Sequence, residues 1–336
     1  MKQRFTYPSL IICLFLILFT GCGKDKYDYS HANVHVVLSP KGVGDQGYND
    51  NILRGFQKAA NQYGFTLTIH IPNEKEQGIY IYEDWLNSKL DDECQRSLFV
   101  FSGSEYEYLL EELTPPAELR KDVLMFETDK QVDGIYTFSV GCYAASYLAG
   151  ASCIFEEKED QKALIIAANP HDKNVKRAVD GYRDGYVASG GFACDVYYLS
   201  NELDGGYQMQ NEAYQYCMKN IGKYSFYFAV AGASNKGLYR FSRENMEFAV
   251  GMDNDMSLFS YMLPMSVVKH MDKAITDILK DLLNNKTIPY HQSFTYSSGY
   301  EELVFENEQI AELYRDITDI RKHIVEIEKL YEESHQ

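Results

Sequence analysis

The chain has 336 residues, enough for two domains. With 45% hydrophobic and 24% charged residues it has the balance of a globular protein, which excludes a disordered or fibrous chain. The formal net charge of −17 disfavours nucleic acid and anionic lipid surfaces as partners, and it does not constrain what a cleft would hold.

At the N-terminus, Lys2 and Arg4 precede an apolar run from Leu10 to Phe19, too short for a convincing membrane span. Leu18-Phe19-Thr20-Gly21-Cys22 then resembles a lipobox. The expectation is a signal peptide over 1–21, a lipid on Cys22 and a polar tether over 22–33. The later cysteines Cys94, Cys142, Cys153, Cys194 and Cys217 show no C-x-x-C pair and no zinc spacing. Buried structural thiols are expected, with no metal and no cofactor.

Val34 to Leu38 reads as a buried strand. Ser39 to Gly47 is a polar loop. Ile52, Leu53, Phe56, Ala59, Ala60 and Tyr63 then recur at helical spacing, with Gly64 as the stop. Such a strand, loop and helix start present N–H groups and side chains at the carboxyl edge of a parallel sheet. Gly42, Gly44 and Gly47 spell G-x-G-x-x-G, but Ser39, Pro40 and Lys41 intervene between strand and first glycine, which argues against a dinucleotide loop.

Strands are expected over Phe65 to Ile71, Leu98 to Phe101, Val123 to Phe126 and Ile135 to Val140, with helices over Glu83 to Leu90 and Glu105 to Leu113. A second set follows, with strands over Lys162 to Ala167, Val196 to Leu199, Phe226 to Val230 and Phe248 to Gly251. Its helices cover Ala144 to Phe155, Val175 to Ala188 and Tyr207 to Asn220, and Ser266 to Lys269 is expected to open another, running to about Asn284. Alternation of this kind predicts an α/β protein with two doubly wound parallel-sheet lobes. Ile310, Leu313, Ile317, Ile320, Ile324, Ile327 and Tyr331 form an a/d seam, read as an amphipathic helix packed on its own domain in preference to a coiled-coil partner.

Asp45, Gly47, Tyr48 and Asn49 resemble the Asp-x-Ser-Phe-Asn signature of the basic membrane protein (BMP) family, which includes PnrA-like purine nucleoside receptors of ABC transporters. Tyr147 to Gly150 is similar to that family's Phe-Leu-Ala-Gly, and Val175 to Tyr182 to its V-K-R-F-x-x-G-F. Ala231 to Gly237, Gly251 to Asp255 and Ser266 to Lys269 resemble its Ala-Gly-Gly-x-Gly-x-Gly, G-V-D-x-D and S-V-V-K. The resemblance implies a type I periplasmic-binding fold whose lobes are joined by a hinge. The lobes are expected over 34–139 plus 257–290, and over 140–256 plus 291–336 with the C-terminal helix.

The resemblance also implies a lipid-anchored, monomeric receptor in the cell envelope, with ABC permease subunits as partners and a nucleoside as ligand. Tyr48 would stack on the base, with Asp45 and Asn49 beside it. Gly232 would allow close approach, and Asp253 and Lys269 would hold the ribose hydroxyls. Ser102, closing the third strand, joins this ligand-binding set. On the residues alone, Asp253 is equally a cap after a strand and Lys269 an exposed first-turn lysine. Tyr207 is the candidate for a second aromatic wall. No G-x-S-x-G elbow or H-E-x-x-H motif supports catalysis. A ligand sensor of the same fold, and a nucleoside-cleaving hydrolase, are the competing readings.

Overall fold

A computed structural model describes residues 29–40, 42–154 and 160–335. The signal peptide, Cys22, most of the tether and most of the charged turn Glu156 to Asp160 lie outside the described residues.

The first sheet has the order β11-β5-β4-β3-β1-β2 and is parallel throughout. Its strands are β1 (Ala32–Val37), β2 (Thr66–His70), β3 (Arg96–Phe101), β4 (Lys121–Phe126), β5 (Ile135–Val140) and β11 (His291–Phe294). Alternation decides which side each residue faces. Val34 and Val36 of β1 pack under α1 (Tyr48–Tyr63) and α7 (Met271–Leu283), while Val37 packs with Tyr82 and Trp85 of α2 (Gln77–Asn87) on the opposite face. A Cβ on Gly55 of α1 would lie 2.8 Å from Asp272 Cα, so that glycine allows α1 and α7 to touch along their backbones.

The second sheet has the order β12-β10-β9-β8-β6-β7. It comprises β6 (Lys162–Ala167), β7 (Ala193–Tyr198), β8 (Phe226–Val230), β9 (Ala249–Asp253), β10 (Met265–Lys269) and β12 (Glu301–Phe305), of which only β12 runs antiparallel to its neighbour. It packs with α3 (Tyr143–Ser152), α4 (Lys173–Ala188), α5 (Gln210–Lys219) and α6 (Asn235–Asn245) around one core. Helices α3 and α4 lie unusually close, because Cβ atoms on Gly150, Gly181 and Gly185 would collide with the carbonyls of Tyr182, Tyr143 and Tyr147. After the short α8 (Glu308–Ala311), α9 (Thr318–Ser334) buries Ile324 and Tyr331 against this lobe, while Leu313 of the expected seam is 71% exposed.

Two sequence expectations are corrected here. Ser266 to Lys269 does not open a helix; it is the body of strand β10, and α7 starts only at Met271. The β-branched pair Val267-Val268 is buried in the sheet, and so short an apolar run carries no period to separate strand from helix. The lobe boundaries shift as well. Residues 265–269 belong to the second sheet and 291–294 to the first, the reverse of the expected assignment.

The chain therefore crosses between lobes three times, after β5, after β10 and after β11. The crossings run side by side. Gly141 N donates to Phe294 O at 2.8 Å, and His270 N donates to Tyr300 O at 2.7 Å. Together they make the hinge.

Candidate functional site

The loops at the carboxyl ends of the parallel strands meet between the lobes. They enclose a cavity of about 770 Å³, counting the space open to solvent at its mouth. Asp45, Tyr48 and Asn49 reach it from the β1–α1 loop, Gly232 from the end of β8, Asp253 from the end of β9 and Lys269 from the end of β10. Bonds between the lobes hold them closed around it. Asn51 Nδ2 donates to Asp253 O at 3.1 Å, Asn254 Nδ2 to Gln46 O at 2.8 Å and Ser104 Oγ to Asp172 Oδ2 at 2.8 Å. The Lys75–Asp204 ion pair joins them at another point.

The Asp45 carboxylate serves its own loop. It accepts from Gly47 N at 2.9 Å, Asn49 N at 3.0 Å, Asn49 Nδ2 at 2.9 Å and Asp50 N at 3.2 Å. The three backbone N–H groups among them, of Gly47, Asn49 and Asp50, are donors that the first turn of α1 would leave unmet. Asp45 thus fixes Tyr48 and Asn49 in place. Asn49 Oδ1 is buried and accepts from no group among the described residues, so a donor on a ligand would satisfy it. The Tyr48 hydroxyl donates to Ser102 O at 2.6 Å, and burial pushes that phenol well up. Ser102 itself is fully buried and is not part of the cavity wall. Its expected place among the cavity-lining side chains is not observed; its carbonyl instead accepts from the Tyr48 hydroxyl.

Tyr207 supplies a second ring to the cavity. Its hydroxyl donates to Asp172 Oδ2 at 2.7 Å, while Asp172 Oδ1 accepts from Asn174 N and Val175 N and so caps α4. Gly232 lies under this ring. Its φ of +53° and the 3.2 Å that would separate a Cβ from Tyr207 Cδ1 both favour glycine.

The floor is a buried charge cluster. Lys269 Nζ donates to Glu127 Oε2 at 2.8 Å, with both side chains 4% exposed. Burial alone would push the Lys269 ammonium down, but Glu127 above all, then Cys142 and Asp253, raise it overall. Burial drives the Glu127 carboxyl up despite Lys269, and its Oε1 accepts from no group among the described residues. Burial likewise pushes Asp253 up to about 7. Asp45 and Glu127 add to the rise, whereas Lys269 and the Tyr48 N–H oppose it. Asp253 and Glu127 both hold positive φ, +70° and +62°, which non-glycine residues adopt at a cost. A Cβ on Gly47 would come within 2.9 Å of Asp253 Oδ2, so the glycine that stands where the BMP signature has serine leaves room for this carboxylate.

Asp45, Tyr48, Asn49, Gly232, Asp253 and Lys269 thus line one cavity, as does Tyr207. Sequence reasoning missed Glu127. The strand before it was legible, but one glutamate among 49 acidic residues looks solvated. The signal available was its place immediately after a buried parallel strand. Cys142 lines the cavity too, its thiol pushed up to about 12 by burial and so protonated at neutral pH. Among the described residues, no group of three His, Cys, Asp or Glu side chains is placed to hold a metal ion, and no helix is long and apolar enough to cross a membrane.

Two six-stranded, mostly parallel sheets, linked by three adjacent crossings and closing on a cavity lined by tyrosine rings and buried charges, define the type I periplasmic-binding fold. Solved structures of other proteins resemble the chain in shape. An ABC transporter solute-binding protein from Aeropyrum pernix K1 superposes with a TM-score of 0.68 at 18% identity, over 83% of this chain and 77% of that one. A transcriptional activator of the comK gene from Bacillus halodurans gives 0.65 at 16% identity, over 87% and 97%. A substrate-binding protein of a sugar ABC transport system from Bordetella parapertussis gives 0.60 at 12% identity, over 82% and 89%. At such identities the likeness is one of fold. No protein-family model matches the sequence, and no curated protein matches it.

Proposed function

We propose that this chain is a lipid-anchored solute-binding protein of the cell envelope that captures a nucleoside between its lobes for an ABC importer. The observation that carries the proposal is the joint lining of one cavity by Tyr48, Tyr207 and the Asp253–Lys269–Glu127 cluster. The rings offer flat apolar faces to a base. The carboxylates and Asn49 Oδ1 accept hydrogen bonds, and vicinal ribose hydroxyls supply donors of that kind. The sugar-transport proteins among the similar structures support a ligand rich in hydroxyls. Lipid on Cys22 rests on the sequence signal alone.

Calorimetric titration with ribonucleosides, 2′-deoxynucleosides and free hexoses tests the reading. Ribonucleosides should bind most tightly. A 2′-deoxy form should bind roughly ten- to a hundred-fold more weakly, because a buried carboxylate then lacks a donor. Tighter binding of a hexose would replace the nucleoside by a sugar.

A sensor role is the second reading, favoured by the comK activator's likeness over nearly the whole of that protein. Genes for a permease and an ATPase beside this one would favour import. Release of free base from a bound nucleoside would instead indicate a hydrolase.

A further inference from the structure

Glu301 and Glu328 are 2% and 1% exposed and lie at the hinge, outside the ligand cavity. Glu301 begins β12, just after the third crossing, and its Oε2 accepts from Ala145 N at 3.1 Å, just after the first. Glu328 belongs to the C-terminal helix α9, and its Oε2 accepts from Tyr296 N at 2.9 Å, within the third crossing. The two remaining oxygens converge on Gly141. A Cβ there would lie 3.2 Å from Glu328 Oε1 and 3.3 Å from Glu301 Oε1. Among the described residues, neither Oε1 receives a hydrogen bond from any other group.

Two buried carboxylates side by side do not both ionise without a cation between them. Neither glutamate has an ion-pair partner among the described residues. The charged and titratable groups around them act from further off. Lys269 and Cys142 face Glu301, whereas Arg177 and Glu332 face Glu328. Lys269 is committed to Glu127, and Arg177 to Asp129 and Glu332. Tyr296, Arg321 and Glu302 complete the surroundings on the crossing, α9 and β12. One proton placed between the two Oε1 atoms gives each of them a partner.

We propose that Glu301 and Glu328 share a single proton, and that this proton fastens the C-terminal helix to two of the three hinge crossings in the closed conformation. Burial, and then each carboxylate's effect on the other, raises Glu301 well above the usual range, in keeping with that arrangement. The sign follows from the raised position. The fastening is complete at low pH and is lost as pH rises through the pair's own range, when two charges would repel inside the hinge. Both carboxylates belong to the second lobe, on β12 and α9, so what the shared proton holds is α9 against the crossings that leave that lobe. Ionisation therefore loosens α9 from the hinge and lowers the folded-to-unfolded ratio, by up to about tenfold per pH unit for one linked proton.

The proposal rests on the hinge alone and not on the ligand's identity. Infrared spectra of the wild-type protein should show a protonated carboxylic acid at neutral pH that is lost in the double variant Glu301→Gln/Glu328→Gln. Thermal midpoints of wild type and Glu301→Gln are then compared between about pH 6 and pH 10. The glutamine amide donates permanently to Glu328, so the variant's downward trend, to which Asp253 contributes equally in both proteins, should be shallower than that of wild type. Absence of the protonated band, or parallel trends in both proteins, would overturn the proposal. Stabilisation of wild type by sodium or calcium that Glu301→Gln abolishes would overturn it too, since the two oxygens would then be cation ligands.

Discussion

Asp253 offers the most discriminating test of the ligand cavity. Its carboxyl is pushed up to about 7, so the ionised fraction rises from about one tenth near pH 6 to about nine tenths near pH 8. If ligand hydroxyls donate to the ionised form, Asp253 should raise affinity about tenfold across that interval. Asp253→Asn removes the titration while keeping shape and an acceptor. The ratio of wild-type to variant affinity, measured by calorimetry at both ends, isolates this group from any other titration in the protein. Stability should move the other way. The folded position lies roughly three units above the ordinary 3.8, so this group's contribution to stability is complete at low pH and is lost as pH rises through about 7. At about pH 8 the loss approaches 4 kcal/mol, at 1.36 kcal/mol per unit. Asn escapes it and also tolerates the φ of +70° better. The gain is an upper bound, because Lys269 gives up one of its two neighbouring carboxylates. Asp253→Asn should therefore bind less tightly yet resist urea better, and more so at the higher pH. An affinity ratio that stays constant with pH would refute the diol contact.

Other perturbations test separate parts of the account. Tyr48→Ala should cost about 1–3 kcal/mol of nucleoside binding if the ring stacks on a base, and unchanged calorimetric affinity would assign the ring to the sheet edge. Tyr48→Phe keeps the ring but loses the bond to Ser102 O, so it should cost about 1 kcal/mol of stability in urea while binding nearly as well. Gly185→Val drives a side chain into the Tyr147 carbonyl, and backbone cannot swing aside as a side chain does, so a loss of about 3 kcal/mol or more is expected. A loss below 1 kcal/mol by chemical denaturation would mean that α3 and α4 separate easily. Cys22→Ser should take up no labelled fatty acid, and incorporation equal to wild type would remove the anchor.

Strands were the most legible feature of the sequence. Ile135 to Val140, Lys162 to Ala167 and Phe226 to Val230 coincide with β5, β6 and β8, because apolar runs between polar turns have few other uses. Residues 291–294 and 301–305 escaped notice. The first is an edge strand of mixed polarity, His-Gln-Ser-Phe, and the second alternates only briefly. That the loop from Asp45 to Asn49 lies at the carboxyl edge of the sheet is readable in the sequence, but the division of labour within it is not. Which carboxylate caps a helix and which faces the cavity depends on where backbone N–H groups point, and sequence does not encode that locally. Ser102 and Glu127 exchanged importance for the same reason. Both follow a buried strand, and only the tertiary arrangement turns one behind the wall and the other onto it.

The interleaving of the lobes has a consequence for how the chain folds. In the first sheet Thr137 of β5 pairs with His291 of β11, so the finishing strand is contributed by the far end of the sequence. In the second, Lys269 pairs with Glu301. Folding that depends on such distant pairings is slow, because long loops must close before the contacts that reward closure exist. A nascent chain that has reached Val140 holds five of its first sheet's six strands and an unpaired edge along β5. That edge stays open for the synthesis of about 150 further residues, and it is the place at which a holding chaperone or an export channel would have to act before premature association could.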